Sequence, residues 1–329
     1  MKKSENRDLW KNTVVVCICA TLCCFLWGSA FPGIKYGYSL FDIGSDNTGL
    51  QIIFAGLRFT LAGLMVVVIG SLMNRRALLP KRESVLKIVH LSLLQTTGQY
   101  FFFYVGLAQT TGVKSSIIQA TNVFIALFVA VIIYKQERLS RNKIIGSVIG
   151  FVGVVIIELY GQNAAYDNGN FIGVGEICVL LSTVAYAFSS VYIKKYSKDE
   201  MPMILSGYQF IVGGITLLAM GMIWSRFTPG EISLTMNMHR IIDGMSKTEN
   251  VVIVLYLAAV SAIAYTLWGT LLKYNSVSKI SVFGFLTPVF GVILSAAVLG
   301  EAQTMNMVAT VVALILVSIG TLLAQRPVS

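Results

Sequence analysis

The run VVVCICATLCCFLWGSAFPGIKYGY, Val14 to Tyr38, decides which solvent this chain folds in. From Val14 to Leu26 only Thr21 carries a hydroxyl; Trp27, Gly28, Ser29, Pro32, Gly33 and Lys35 follow. A bilayer core about 30 Å thick needs roughly 20 apolar residues in a helix, and this stretch is long enough. A helix turned only toward lipid would stay Leu, Ile and Val to its last turn. Indole, hydroxyl, glycine and proline in the outer half predict that this one faces other helices or a cavity there.

The rest of the chain repeats the pattern. Of 329 residues, 56% are hydrophobic and 12% charged, against about 25% charged in a soluble domain. That leaves too little polar surface to cover a fold in water. Apolar runs of spanning length fall near 13–35, 50–73, 86–107, 114–134, 144–160, 171–193, 203–224, 251–272, 279–299 and 304–324. The expectation is an all-α integral membrane protein with ten transmembrane helices. The first run is longer than the apolar region of a secretory signal, and no small-x-small cleavage site closes it, so it reads as a retained span. Cys17, Cys19, Cys23, Cys24 and Cys178 all fall inside spans, without the paired spacing of disulfides or zinc sites. They read as small packing residues, and neither metal nor cofactor is expected.

A net charge of +10 would suit a nucleic acid if the basic residues clustered on one solvated face. They lie in short loops between apolar segments, so no nucleic-acid partner is expected and the charge sets orientation instead. With the N-terminus inside, 19 of the 25 Lys and Arg fall on the cytoplasmic side, five outside, and Arg58 within a span. Basic residues accumulate in cytoplasmic loops. This predicts a multi-pass protein of the cell (cytoplasmic) membrane with both termini in the cytoplasm. The long external segment contains EISLTMNMHRIIDGM (231–245), readable as a helix on the membrane surface or as an ordinary loop.

The polar loop near 161–170 divides the chain into residues 1–160 and 161–329, with five spans each. An odd number of spans per half inverts the second half relative to the first. Transporters often use that plan, with the substrate site near the midplane between the halves. A shift of 164 residues aligns YVGLAQTTGVKSSIIQATNVFIALFVAVIIYKQE (104–137) with WGTLLKYNSVSKISVFGFLTPVFGVILSAAVLGE (268–301). Both read as helix, short polar turn, helix and a glutamate, Glu137 or Glu301. Identities are few; it is hydropathy and the order of features that match.

With WGSAFPGIK in the first span, LRF around Arg58, YVGLAQTTGVKSSII across the third and fourth, and LTPVFGVILSAAVLGE in the ninth, the chain resembles the EamA-like members of the drug/metabolite transporter superfamily. It departs from them at Phe124, where the family's first-half segment usually has proline, and at Val184-Ala185-Tyr186, which replaces a common tryptophan. The resemblance implies carriage of small metabolites or drugs by alternating access, often as export. It also makes Pro288 a hinge.

Polar groups in a lipid-embedded helix are costly unless they face an interior or a cavity. Gln95 and Gln99 share a face of the third span by their i, i+4 spacing, and Gln119 and Asn122 share one of the fourth. Thr183, Tyr186 and Ser190 do the same on the sixth span, as do Ser261, Tyr265 and Trp268 on the eighth. With Trp27, Ser29, Tyr100, Tyr104 and Tyr208 these are expected to line a central cavity for a small-molecule substrate. The competing reading is helix-to-helix hydrogen bonding, worth about 0.6 to 2 kcal/mol per group. Pro32 removes a backbone hydrogen bond and should bend the first helix. Lys35, about two turns beyond Trp27, either guards the cavity mouth or snorkels to headgroups. Arg58 needs acceptors for its five donors, either freed carbonyls or a substrate carboxylate. All six Asp lie outside the spans, and Glu158 and Glu176 lie near external ends. Strict coupling to a proton or sodium gradient is therefore not expected.

The expected function is a non-enzymatic carrier, exporting amino acids, related metabolites or drugs. One alternative is an intramembrane enzyme, which needs a nucleophile, base or metal; the spans carry no Asp pair and no H-E-x-x-H. Another is a non-transporting assembly protein, which would show a dry interface between the halves. The lipid bilayer is the certain partner in each case; oligomeric state stays open, a homodimer included.

Overall fold

The computed structural model describes residues 9–109, 112–135, 137, 140–160, 173–228, 232–298 and 306–325. The polar loop 161–170, Glu301 and the side chain of Glu158 lie outside the described residues.

Backbone groups surrounded by lipid have no water to bond, so each span satisfies them internally, as a helix does. Helix α1 (Thr13–Leu40) starts on Asn12, whose side chain accepts the Val14 N–H at 2.9 Å, and runs on past Pro32. Helix α2 (Thr48–Met73) starts on Asn47, which accepts the Leu50 N–H at 3.1 Å. The third rod consists of α3 (Val85–Leu91) and α4 (Gln99–Leu107), joined by wide i→i+5 turns over Ser92–Gly98. The fourth consists of α5 (Gly112–Ala120) and α6 (Asn122–Phe128), stepping at Thr121 and ending in wide turns over Val129–Ile133. Next come α7 (Arg141–Tyr160), α8 (Val174–Tyr196) and α9 (Pro202–Phe227). Then come α10 (Leu234–Met245), α11 (Thr248–Tyr274), α12 (Val277–Ser281), a tight 3-10 turn at Val282–Phe285, α13 (Leu286–Val298) and α14 (Met307–Gln325).

Among the described residues there is no strand, and seven helical stretches are long and apolar enough to cross a membrane: α1, α2, α8, α9, α11, the 277–298 rod and α14. Ile18, Val68, Ile69, Ile215, Ile263 and Ile315 point outward and are exposed, whereas Gln95, Gln209 and Ser190 are buried. This is the distribution of a multi-pass protein dissolved in lipid.

The segment after α9 is helical, as one of its two readings had it. Ser233 accepts the Met236 N–H at 3.4 Å to start α10. Asn237 turns inward and donates to Asn47 at 3.2 Å and to Ser225 at 3.0 Å, and Arg240 pairs with Asp42 at 3.0 Å. These bonds hold α10 across the start of α2 and the end of α9.

The tightest seams join α2 to α9 and α7 to α14. A Cβ at Gly56 would lie 2.6 Å from the Leu218 nitrogen and 2.8 Å from the Gly214 carbonyl oxygen. One at Gly320 would lie 2.5 Å from the Gly146 carbonyl oxygen. Helices in lipid associate by such close van der Waals approach, which only small residues permit. Elsewhere α1 packs on α11 and α13, while α8 packs on α4, α5 and α6. Two of the cysteines help seat α1: Cys23 and Cys24 donate to the carbonyls of Ala264 (3.4 Å) and Phe283 (3.1 Å). The α1 and α8 helices also enclose a space.

Candidate functional site: a cavity between α1, α4, α8 and α11

The cavity measures about 200 Å³. A single water needs roughly 10–15 Å³ of such space, so a small organic molecule fits. Helices α1, α4, α8 and α11 supply most of the wall, with α2, the α5–α6 step and the segment 281–288 completing it.

One side is aromatic. The Trp27 ring meets Tyr265 at 5.1 Å and Trp268 at 4.9 Å, both edge-on. Phe210 backs Tyr265 at 5.0 Å and 90°, and the Tyr265 hydroxyl meets that of Tyr100 at 2.7 Å. Edge-to-face pairs are worth about 0.5–1.5 kcal/mol beyond area burial, so these rings form a preset apolar wall.

The lining also carries polar groups, and they divide in two. Thr183 and Ser261 spend their hydroxyls on their own helices, donating to the carbonyls of Val179 (2.8 Å) and Leu257 (3.1 Å). In contrast, Trp27 Nε1, Trp268 Nε1, Arg58 Nε, Gln99 Oε1, Asn122 Oδ1 and Ser182 Oγ are buried with no partner among the described residues. An unpaired polar group in an apolar interior costs roughly 1–3 kcal/mol. Six such groups on one lining leave donors and acceptors unspent around the space. Flipping the Gln99 or Asn122 amide exchanges its oxygen and nitrogen, so each presents either an acceptor or a donor.

Of the residues picked from the sequence, Trp27, Gln99, Tyr100, Gln119, Asn122, Tyr186, Tyr265 and Trp268 all line this cavity, and so do Arg58 and Pro288. Gln95 does not; it is buried and accepts a hydrogen bond from Gln209. The i→i+5 turns over Ser92–Gly98 rotate Gln95 away from the face that regular i, i+4 spacing assigns to it. Pro288 sits in the first turn of α13, where a missing N–H interrupts no helical bond; the irregularity is the 3-10 turn just before it. Pro32 is buried in α1 and Lys35 is exposed, both off the lining. Phe31 and Phe103 line the cavity without having been picked. Each stands four residues after a picked residue, Trp27 or Gln99, so helical spacing alone marked them.

At the end of the bundle that holds the first turn of α1 and the last of α14, polar bonds tie the chain's halves together. Glu137 accepts from the Val277 and Ser278 backbone and from the Ser278 hydroxyl, and pairs with Lys143 at 3.2 Å. Lys194 donates to the Asn275 carbonyl, and Asn275 Nδ2 donates to the Trp10 carbonyl at 2.9 Å.

Comparison with known proteins agrees with this architecture. An uncharacterized transporter of Bacillus subtilis, YyaM, is 24% identical over 297 residues, 90% of each chain. A probable amino-acid metabolite efflux pump of Salmonella typhimurium is 23% identical over 292 residues, 87% of each chain. A solved crystal structure superposes with a TM-score of 0.72 at 18% identity, over 94% of this chain and 96% of the other, which shows a shared fold. The model of the EamA-like transporter family matches residues 14–159 and again 173–324. Those two matches span nearly the whole chain: it belongs to the EamA-like transporter family.

Proposed function

We propose that the protein moves small molecules across the cell membrane by alternating access, as an exporter of amino acids, related metabolites or drugs. The cavity carries this reading, because its aromatic wall and its unpaired donors and acceptors suit a ligand with an apolar body and a polar head. An assembly protein would have filled that space, and among the described residues no carboxylate lines it to act as an acid or base.

Alternating access needs two units that rock about the site, here residues 1–160 and 161–329 as two inverted five-helix repeats, ten spans in all. The pattern of contacts supports this. Exchanging the first span with the sixth, the third with the eighth and the fourth with the ninth turns the α1–α11 and α1–α13 contacts into α8–α4 and α8–α6. The α2–α9 and α7–α14 seams then map onto themselves, as contacts on a two-fold axis do. The two separate family matches divide the chain at the same place.

The decisive measurement is counterflow into liposomes holding purified protein, run on a metabolite panel with and without a proton gradient. Saturable counterflow of some panel member is expected without any gradient, since no carboxylate among the described residues faces the cavity; no movement of any member overturns the reading. Thiol labelling checks orientation. Lys198→Cys should react from the cytoplasmic side and Lys247→Cys from outside, and the reverse pattern inverts the topology.

A further inference from the structure

We propose that Arg58 is the anion-recognising residue of the cavity and that the substrates carry a carboxylate, alone or within a zwitterion, on an apolar body. The inference rests on the carrier reading above. Arg58 stands ten residues into α2, about 15 Å from its start. It is only 4% exposed and is the one charged side chain on the lining among the described residues. Its guanidinium carbon lies 4.5 Å from the Phe59 ring centroid and 5.7 Å from that of Tyr100. These π faces flank the cation without neutralising it. No carboxylate pairs with it among the described residues, and its Nε has no hydrogen-bond partner.

A guanidinium keeps its charge even when buried. Burying it without an anion loses hydration and gains no ion pair in return. The missing counter-charge therefore comes from outside the lining, and the substrate is what enters there. The planar fork matches a carboxylate through two parallel N–H···O bonds. A single positive charge behind low-dielectric aromatic walls also repels cations, so organic amines without a carboxylate are rejected. Trp27, Tyr265 and Trp268 take the apolar body, and Gln99 Oε1 and Asn122 Oδ1 are free to accept from the ammonium of a zwitterion.

The test uses matched probes with aromatic, branched aliphatic and heteroaromatic skeletons, each as acid, amino acid and amine; one set is 3-phenylpropionate, phenylalanine and phenethylamine. Tryptophan quenching and liposome counterflow are measured for the wild type, Arg58→Gln and Arg58→Lys. In the wild type, acids or amino acids bind and amines do not. Arg58→Gln weakens carboxylate binding by about 10- to 100-fold, the loss of a charge-assisted hydrogen bond, and lifts the exclusion of amines. Arg58→Lys restores part of the affinity, because a point charge replaces the fork. The ligand-free melting temperature of Arg58→Gln stays level or rises. Equal carboxylate affinity in wild type and Arg58→Gln, a wild-type preference for amines, or an Arg58→Gln protein that fails to fold would each overturn the proposal and leave the carrier reading standing. If the wild type neither binds nor moves any member of any set, the carrier reading fails and this inference falls with it.

Discussion

Two residues apart on α2, Gly56 and Arg58 belong to opposite kinds of interior. Gly56 lies in the seam with α9, where a Cβ would strike backbone on the facing helix. Arg58 faces the cavity, where buried donors and acceptors go unpaired. The seam leaves no room for a Cβ. The cavity withholds contacts, and so has some to offer a ligand. One helix thus carries both a close-packed seam and part of the cavity wall.

The sharpest way to break this contrast is to overfill the seam. Overpacking usually costs about 1–3 kcal/mol and more when backbone cannot yield, so Gly56→Leu should cost about 3 kcal/mol or prevent folding, read by thermal unfolding in detergent. If Gly56→Leu melts like the wild type, the seam is not the rigid element. The two third-span glutamines sharpen the contrast from within one rod. Gln95→Ala removes a bond and strands Gln209 in the interior, an expected loss of about 1–3 kcal/mol of stability with ligand affinity unchanged. Gln99→Ala should do the opposite, weakening binding several-fold, for about 0.5–1.5 kcal/mol, while melting normally. Equal effects of the two variants on binding would erase the distinction between cavity and packing.

Trimming the aromatic wall comes next. Trp27→Ala should weaken bulky apolar substrates by about tenfold and small ones little, since an aromatic contact is worth about 0.5–1.5 kcal/mol. Uniform weakening across ligand sizes would mean that Trp27 acts through Tyr265 and Trp268 rather than on the ligand.

The smallest effect is expected at the loop between α8 and α9. The hydrogen bond from Lys87 at 2.7 Å, reinforced by its charge, holds the Asp199 carboxyl below the usual carboxylate range. A depressed folded-state pKa means that the pair stabilises above the ordinary carboxylate range, and that this contribution is lost as pH falls through the folded value. The Asp199 side chain is 63% exposed and solvent screens the pair. Asp199→Asn should therefore shift the melting temperature least of these variants at neutral pH, with the difference vanishing in acid. A large shift would mark this loop as a structural latch.

Much of this was legible in the chain because lipid imposes a simple rule: apolar length makes a span, and a polar or aromatic group on a span needs a reason. That rule picked out Gln99, Gln119, Asn122 and Tyr265 from spacing, and Trp27 and Arg58 as an indole and a charge within a span. It went astray where the helix departs from regular geometry. The wide turns over Ser92–Gly98 carry Gln95 off the cavity, and the 3-10 turn before α13 places Pro288 in a first turn rather than mid-helix. Local composition also left 234–245 open between helix and loop; the bond from Asn237 to Asn47 joins residues 190 positions apart.

What the sequence by itself determined is the solvent, the helical class and the approximate places of the seven long apolar helices, because each follows from hydrophobic length and hydrogen-bond satisfaction within one segment. Only the tertiary structure decided which polar groups are spent and which remain free. Gln95 and Gln99 are chemically identical and one turn apart, yet one meets Gln209 and the other an open cavity. That difference depends on which neighbours arrive from segments more than 100 positions away, and no local pattern encodes it.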